Sequence, residues 1–311
     1  MRVVQNMLTS SLLRNLHSNL NNLNKYQNQL STNSRILRIS DDPIGAVSSI
    51  QIKNDIKKNE QYSKNISDAQ SWLNETESNL YELNNILIRM KELANQSANG
   101  TFTKQQRDAI KEEVLQMRDQ LLDIVNTKFA GKYIFGGYNT TSAPFKINAG
   151  TVSYNSISDI SAATPAEIDY ENDQVRSFKL SPSTSFGVSI PGTKVVGCGS
   201  DNLFALFEGF VDALDTDVAT PELVEYASKF SKAQDDVLSL ISDVGGRQKR
   251  LEHINTRYEN EFINLAELDE KTVGIDQAEV ITYFRMAENT YNTALQVGAR
   301  IIQRSLVDFL S

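Results

Sequence analysis

Side chains that commonly perform chemistry are sparse in this sequence. It has two histidines, His17 and His253, and neither has a serine or cysteine nucleophile at a spacing typical of a catalytic triad. The single cysteine, Cys198, excludes an internal disulfide and offers no metal-ligand spacing. We therefore expect both histidines on the surface, and we predict no catalytic residue, no metal site and no cofactor.

Two further motifs suggest sites but have simpler structural explanations. Ser40-Asp41-Asp42-Pro43 contains an acidic pair, yet it is typical of a helix start. There a polar side chain caps the first amides, acidic groups favour the positive helix end, and proline loses no hydrogen bond. Gly136-Gly137 is not followed by the Gly-Lys-Ser/Thr of a phosphate-binding loop, so we interpret it as a turn.

Composition narrows the class of protein further. The 311 residues include 31 basic and 39 acidic ones, so the net charge is -8 and does not favour binding to phosphate backbones. The longest uncharged apolar runs are far shorter than the ~20 residues of a membrane-spanning helix. The first residues contain no sustained apolar stretch typical of a cleaved secretory signal. We expect a soluble protein that binds no nucleic acid and does not insert into a membrane.

Helices are expected to form most of this chain. The reason is an apolar spacing, alternating between three and four residues, that recurs at both ends of the sequence. The first stripe is Leu13, Leu16, Leu20, Leu23 and Leu30, with Gln27 at the one polar position. The second stripe is longer: Ile66, Ala69, Leu73, Thr76, Leu80, Leu83, Leu87, Met90 and Ala94. It predicts a helix over 55–99, which at ~1.5 Å per residue is ~65 Å long and exceeds an ordinary globular domain.

Three more segments follow the same spacing. After a turn at 99–101, the stripe Ile110, Val114, Met117, Leu121 and Ile124 predicts a helix that folds back on the second as a hairpin. Apolar residues from Leu223 to Leu265 predict another long helix, and those from Val280 to Ile301 predict the last one. Gly245-Gly246 lies inside the long helix, where each glycine costs ~1 kcal/mol. We expect a close helix approach or a local kink there rather than a break.

The middle of the chain has a different pattern. From about 138 to 199, threonine, serine, glycine and proline increase, and short alternating pieces such as Thr151–Tyr154 and Val175–Leu180 predict strands. The predicted fold class is mainly α: an elongated antiparallel coiled-coil or helical-bundle rod built from both chain ends, with a small β-rich domain inserted in the middle. The predicted segments are an N-terminal amphipathic helix (1–40), the N-terminal half of the rod (41–137), the β-rich insert (138–202), the C-terminal half of the rod (203–272) and a C-terminal amphipathic helix (273–311).

Two explanations fit the amphipathic ends. The terminal helices can pair with each other inside one chain, or they can bury their apolar stripes against other copies and order on assembly. The N-terminal segment contains several asparagines, which are poor helix formers, so it needs packing to fold: Asn15, Asn19, Asn21, Asn22, Asn24 and Asn28. This composition favours assembly, although helical spacing alone does not distinguish the two explanations.

Specific strings resemble the flagellin superfamily. Residues 29–36, Gln-Leu-Ser-Thr-Asn-Ser-Arg-Ile, followed by Ser-Asp-Asp-Pro at 40–43, are similar to its N-terminal signature. Asn33 stands where the family usually has glycine, and asparagine is the next residue best able to take a positive φ. Residues 92–94, 99–101, 107, 112–113 and 245–251 agree in order, so the resemblance covers both flanks of the insert.

Within the family, the start Met1-Arg2-Val3-Val4-Gln5-Asn6-Met7-Leu8, the end Ser305-Leu306-Val307-Asp308-Phe309-Leu310 and the stretch 131–137 resemble the hook-associated junction members. The resemblance implies terminal segments that form the inner tubes of a flagellum and an insert that faces outward. It also implies unfolded export through the flagellar type III apparatus and a chaperone that holds 280–310. The implied partners are copies of the chain in a ring, hook-associated protein 1, flagellin and that export chaperone.

The expected subunit interface comprises the apolar positions of the two terminal helices: Leu13, Leu16, Leu20, Leu23, Leu30, Phe284, Tyr291, Leu295 and Ile301. The alternative within the family is a flagellin that builds the filament itself. From other classes, an enzyme or adhesin carried by the insert and a generic coiled-coil scaffold remain open. The absence of a catalytic constellation disfavours the enzyme, and the order of the matched strings disfavours the scaffold.

Overall fold

The computed structural model describes residues 2–98, 103–148, 151–215 and 220–307. Helices dominate it. They are α1 (Arg2–Thr32), α2 (Pro43–Ser97), α3 (Lys104–Val125), α4 (Pro165–Asp173), α5 (Gly192–Val196), α6 (Leu203–Asp215), α7 (Thr220–Val273) and α8 (Gln277–Val307). Short strands lie between α3 and α5: β1 (Lys128–Phe129), β2 (Lys132–Tyr133), β3 (Phe145–Asn148), β4 (Thr151–Tyr154), β5 (Ser177–Lys179) and β6 (Ser185–Gly187). The predicted class, mainly α with a small β-rich middle, is confirmed.

The chain forms two compact units. The terminal unit comprises residues 1–60 and 260–311, and the central unit comprises residues 61–259. The terminal unit therefore takes α1, α8, the first part of α2 and the last part of α7, and the central unit takes the elements between them.

The long predicted helix exists but begins earlier than expected. α2 starts at Pro43, not at residue 55. Its first turn is capped by Asp42, whose carboxylate accepts a hydrogen bond from the Gly45 amide at 3.0 Å. The capping explanation of the acidic motif is thus confirmed, with Asp42 as the cap. The apolar spacing missed residues 43–54 because exposed Ile44, Val47 and Ile50 interrupt the three-four pattern there.

The core of the central unit follows the predicted stripe of α2. Every one of its nine members, from Ile66 to Ala94, has no exposed surface. Ile110, Val114, Leu121 and Ile124 of α3 join the same core. Arg89 of α2 also forms an ion pair with Glu113 of α3 at 2.7 Å. The turn predicted at 99–101 lies outside the described residues.

α7 confirms the predicted fourth helix, with two corrections. Its stripe is buried from Leu223 to Tyr258, but Phe262 is exposed, because α7 there has entered the sparsely packed terminal unit. Gly245 and Gly246 lie within continuous helix, so a simple break is excluded. The expected close helix approach at these glycines is wrong, since a Cβ on either would meet no atom within 4 Å.

The strands form three separate antiparallel pairs. β1 pairs with β2, β3 with β4 and β5 with β6. The predicted strand at Thr151–Tyr154 is β4, in register with Phe145–Asn148, and β5 lies within the predicted 175–180. The Gly136-Gly137 motif is a turn, as predicted: the Asn139 amide donates to the Gly136 carbonyl at 3.0 Å, and Gly137 has a φ of 63°.

Tyr154 organises the inner part of the strand region. Its hydroxyl donates to the Phe135 carbonyl at 2.8 Å and accepts from the Gly192 amide at 3.0 Å. A Cβ on Gly192 would lie 2.6 Å from the rings of Phe145 and Tyr154, so only glycine fits there. This single phenol therefore joins β4, the turn after β2 and the start of α5.

Candidate assembly interface

The two ends of the chain pair with each other in the terminal unit. Three contacts define the pairing of α1 with α8. Leu12 packs on Gly298, and the ring centroids of Tyr26 and Tyr283 lie 5.8 Å apart. Just after α1, the Asn33 side chain accepts a hydrogen bond from the side-chain amide of Gln277 at 3.0 Å. In these three contacts, the residue number on the α8 side decreases as the residue number on the α1 side increases. The helices are therefore antiparallel, and of the two explanations for the amphipathic ends, pairing within one chain is the one seen in this structure.

Gly298 permits a close approach between these helices. A Cβ at this position would lie 2.9 Å from Cδ2 of Leu12, so a larger residue would push the helices apart. Leu12 was not among the predicted interface residues, and its predicted neighbour Leu13 points outward with 60% of its surface exposed. The spacing of three and four could not choose between these adjacent leucines, whereas the small residue on α8 selects Leu12.

The predicted interface residues fall into two groups after this pairing. Leu13 and Leu295 are exposed. The others described are half-buried: Leu16, Leu20, Leu23, Leu30, Phe284 and Tyr291. The side chain of Ile301 lies outside the described residues. The polar position that is buried on α1 is Gln29, not the expected Gln27, because its amide donates to the Arg35 carbonyl at 3.0 Å.

The terminal unit buries little apolar surface for its size. Among its described side chains, the buried apolar ones are Ala46, Ile52, Val273 and Val280. Many large apolar side chains stay exposed: Met7, Leu13, Ile39, Ile44, Val47, Ile50, Phe262, Ile263, Leu268, Ile281, Tyr283, Met286, Leu295 and Val297. Exposure on this scale, concentrated in one unit, is typical of a surface that another protein covers.

The segment between α1 and α2 ties this unit together. The Arg35 amide donates to the Val273 carbonyl at 2.7 Å, and the Arg35 guanidinium donates to the Thr272 carbonyl at 3.2 Å. These carbonyls end α7, where a cation is favourable. The same guanidinium pairs with Asp42 at 2.9 Å. The hydrogen bond from the Gly45 amide makes the largest contribution to lowering the pKa of the Asp42 carboxyl below its usual range, and the hydrogen bond from the Arg35 guanidinium makes the second.

The residues first considered for chemistry occupy structural positions. His17 and His253 are exposed, as predicted. Asp41 accepts hydrogen bonds from the amides of Leu37 and Arg38, at 3.2 and 2.9 Å. Cys198 is a half-buried free thiol whose pKa is raised by burial. Within the described residues, His, Cys, Asp and Glu nowhere form a group of three that could hold a metal ion.

A helix that crosses a lipid bilayer needs a long and predominantly apolar stretch of residues. Across the ranges that the structure describes, no helix combines the length and the apolar character needed to cross a membrane.

Known proteins are similar to this chain in sequence. Residues 3–140 match the family model of the bacterial flagellin N-terminal helical region. Flagellar hook-associated protein 3 of Escherichia coli is 26% identical over 96% of this chain and 95% of its own length. A flagellin of Halalkalibacterium halodurans is also 26% identical, over 95% of this chain and 93% of its own length.

A solved structure extends the likeness to the fold. The crystal structure of flagellar hook-associated protein 3 from Legionella pneumophila superposes with a TM-score of 0.61, covering 71% of this chain and 98% of that one, at 16% sequence identity. The sequence match, the long helices at both ends and the shared fold agree with one another. Residues 3–140 therefore carry the flagellin N-terminal helical region, and the chain as a whole is similar to flagellar hook-associated protein 3 and to flagellins.

Proposed function

We propose that this chain is the hook-filament junction protein, which joins the hook, through hook-associated protein 1, to the flagellin filament. The observation that carries the proposal is the terminal unit, which leaves many large apolar side chains exposed and few buried after its two helices have paired. Its full-length similarity to hook-associated protein 3 of Escherichia coli supports the junction in particular. The action is mechanical, so no reaction is catalysed.

Burial of that surface supplies the driving force for assembly. Removing apolar surface from water stabilises a contact by about 25 cal/mol per Å². Ordering the terminal helices costs conformational entropy, which the burial of neighbouring copies offsets. We infer that segments 1–40 and 273–311 form the axial core of a ring of copies and that the insert at 138–202 faces outward.

Export and protection of the chain follow from the same proposal. The protein leaves the cell unfolded through the flagellar type III apparatus. Before export, a cytoplasmic chaperone covers 280–310, since an exposed apolar helix is an aggregation hazard before assembly. The described part of that segment supports this, because Ile281, Tyr283 and Met286 remain exposed even when α8 is paired with α1.

The test is an assembly experiment on purified hook-basal bodies that carry hook-associated protein 1. The protein is added alone, then followed by flagellin, and the hook ends are examined by electron microscopy. We expect a short layer at each hook end from which flagellin then extends. A layer that fails to form, or that does not support flagellin, would contradict the junction assignment.

The predicted interface is tested with Leu13→Asp combined with Leu295→Asp. Both side chains are exposed, so the paired helices should fold as in the unmodified protein, while the added charges oppose burial against a neighbour. We expect the far-UV circular dichroism to stay the same and the layer at hook ends to be lost. Asn15→Asp, an exposed polar position on α1, is the matched control and should assemble normally.

The second candidate is a flagellin. The full-length match to the flagellin of Halalkalibacterium halodurans favours it, because that relative is as similar by identity as the hook-associated one. The same experiment separates the two. A flagellin grows long filaments by itself from a seed, whereas a junction protein stops after a short layer.

A further inference from the structure

A cationic cleft lies in the central unit and has no role in the contacts described so far. It has a volume of about 660 Å³ and runs between the β5–β6 hairpin, the start of α5 and one face of α7. Asp243, Arg247 and Arg250 of α7 line it, and positions four and three residues apart share one helix face. Lys194 of α5 lines the opposite side.

The cations of this cleft differ in how they are held. Arg247 is fixed, because its guanidinium pairs with Asp243 at 2.8 Å and donates to the Gly187 carbonyl at 3.1 Å. The Arg250 guanidinium lies over the ring of Phe186, 5.4 Å from its centroid. Within the described ranges, neither Arg250 nor Lys194 forms an ion pair. The lining thus has three cations and one acid, in a chain whose net charge is -8.

The opposite charge is arranged along α3 of the same unit. Asp108, Glu112, Asp119 and Asp123 are exposed, and we call them the acidic stripe. At ~100° per residue they fall within about 60° of the helix circumference, and at ~1.5 Å per residue they span about 22 Å. Asp119 pairs with Arg118 at 2.9 Å, whereas the other three form no ion pair in the described structure.

Basic residues of α3 neutralise this stripe only in part. Lys111 forms its ion pair with Asp215 of α6, and this partner, with smaller contributions from Asp108 and Glu112, raises the pKa of its ammonium. In the described residues, no ion pair joins the acidic stripe to the cationic cleft of the same chain. Each chain therefore carries both halves of a complementary pair, and both Lys194 and Arg250 on one half and Asp108, Glu112 and Asp123 on the other form no ion pair in the described structure.

We infer that the acidic stripe of one copy docks into the cationic cleft of the next copy. A contact between two different surfaces of identical chains is heterologous, and it closes into a ring when the rotation between copies allows it. This inference rests on the proposed ring of copies and names the surface by which its members touch. A second copy is the partner because the complementary charge is found on this chain itself.

The physics of such a contact predicts how it behaves. Exposed ion pairs are individually weak, but complementary potentials speed association and exclude wrong orientations. Juxtaposed like charges are strongly unfavourable. Reversing the charge of one half should therefore block docking, and reversing both halves should restore it.

The test uses three variants of the full chain on hook ends. The cleft variant is Lys194→Glu with Arg250→Glu, the stripe variant is Asp108→Lys with Glu112→Lys, and the swapped variant carries all four changes. Arg247 is left intact because it holds the β5–β6 hairpin. The charge-matched control is Lys232→Glu with Lys249→Glu, two exposed positions of α7 outside the cleft. Circular dichroism and thermal unfolding confirm that each variant folds.

We expect the cleft and stripe variants each to lose at least about tenfold in occupancy of hook ends, and the swapped variant to recover most of it. The control should match the unmodified chain. In assemblies of isotopically mixed copies, a carbodiimide should also join Lys194 of one copy to the acidic stripe of another. If the unmodified chain does not add to hooks, the proposed function fails.

If the unmodified chain adds to hooks and the cleft and stripe variants do so equally well, the inference alone is wrong. It is also wrong if the swapped variant folds but does not recover. Inorganic polyphosphate serves as the probe for a different anionic partner. Its tight binding to the unmodified chain, lost in the cleft variant while assembly is unaffected, would assign the cleft to that partner and overturn docking between copies.

Discussion

At the scale of single residues, one buried phenol holds the strand region together. Tyr154 is fully buried, donates to Phe135 and accepts from Gly192, so its hydroxyl has a partner on each side. A buried hydrogen bond of this kind contributes about 0.5–1.5 kcal/mol to stability. The integrity of the central unit therefore depends on this oxygen as well as on the ring that carries it.

Tyr154→Phe should lower the free energy of unfolding by roughly 0.5–1.5 kcal/mol, because the Phe135 carbonyl loses one of its two donors, keeps the Gly192 amide at 2.9 Å, and the ring volume stays the same. Urea unfolding followed by circular dichroism measures this. Tyr170→Phe is the control, since Tyr170 is an exposed tyrosine of the same region and its replacement should change little. Equal stability of the two variants would contradict the role assigned to Tyr154.

The same residue predicts a dependence on alkaline pH. Burial raises the pKa of the Tyr154 hydroxyl far above its ordinary value of about 10. The unfolded chain thus releases this proton near pH 10 while the folded chain retains it, so stability is fully present below pH 10 and falls as the pH rises further. The slope contributed by this group is at most about 1.4 kcal/mol per pH unit. In Tyr154→Phe, the decline of stability between pH 10 and 11 should be shallower.

Residue patterns predicted the core of the central unit well but its polar details poorly. The α2 stripe was identifiable because a helix buried on one face requires apolar residues at that period, and even Thr76 fits the period. Its hydroxyl is satisfied by the Trp72 carbonyl of its own helix. The hydrogen bonds of Gln29 and Arg35 could not be predicted from the sequence. Their acceptors are the backbone carbonyls of Arg35 and Thr272, which come close only in the folded chain.

At the scale of elements, the link between α1 and α2 depends on one backbone conformation. Asn33, directly after α1, has a φ of 51°, and its side chain accepts a hydrogen bond from Gln277 of α8. Most residues with a side chain lose about 1–2 kcal/mol in this left-handed region, whereas glycine does not. Asparagine combines a tolerable conformation with a tie to the partner helix.

Asn33→Ala should reduce the local stability of the α1 end by about 1–2 kcal/mol, because alanine tolerates the positive φ poorly and removes the acceptor for Gln277. Asn33→Gly should cost less, since only the hydrogen bond is lost. Amide hydrogen exchange of residues 26–32 measures the local opening. If both substitutions accelerate exchange equally, the conformation of Asn33 is not what matters there.

The pairing of α1 with α8 gives a second element-scale prediction. Gly298→Leu should separate the helices near Leu12, because even a Cβ at 298 lies 2.9 Å from that side chain. We expect faster hydrogen exchange in residues 9–16 and unchanged exchange in α3. Ala294→Leu, at a half-buried position one turn earlier, is the matched control and should have a smaller effect. A larger increase in exchange from Ala294→Leu than from Gly298→Leu would show that the close approach is not at Gly298.

Element boundaries were predictable where local chemistry marks them. Asp42 and Pro43 fixed the start of α2, although the apolar period did not. α4 was missed because the sequence shows only its capping residues, Thr164 and Glu167, and no apolar stripe. The glycine pair at 245–246 was misinterpreted because a helix tolerates glycine when its other residues are packed well enough, as the buried Val244 and Leu251 are.

At the scale of the whole molecule, the two units differ in how much apolar surface they bury. The central unit has a continuous core, while the terminal unit has four buried apolar side chains among those described. Few buried contacts imply low local stability. The fold class could be predicted from periodicity, but the partition at residues 60 and 260 could not, since α2 and α7 pass through it without a break.

Hydrogen exchange on the isolated chain should therefore show two rates. Amides of α1 and α8 should exchange much faster than those of residues 66–94, and the difference should disappear in chains assembled on hooks, where neighbours cover the terminal unit. Mass spectrometry of pepsin fragments resolves both states. Equal protection of the two units before assembly would argue against ordering on assembly.

The antiparallel pairing of α1 with α8 also has a consequence in time. Leu12 and Gly298 meet although nearly the whole chain separates them, which makes this pairing the least local contact of the terminal unit. Contacts between distant positions form late, because a long loop must close first. Whenever the chain emerges N-terminus first, α1 stays without α8 until almost the last residue has emerged. The helices of the terminal unit can therefore pair only after α8 has emerged, late in the appearance of the chain.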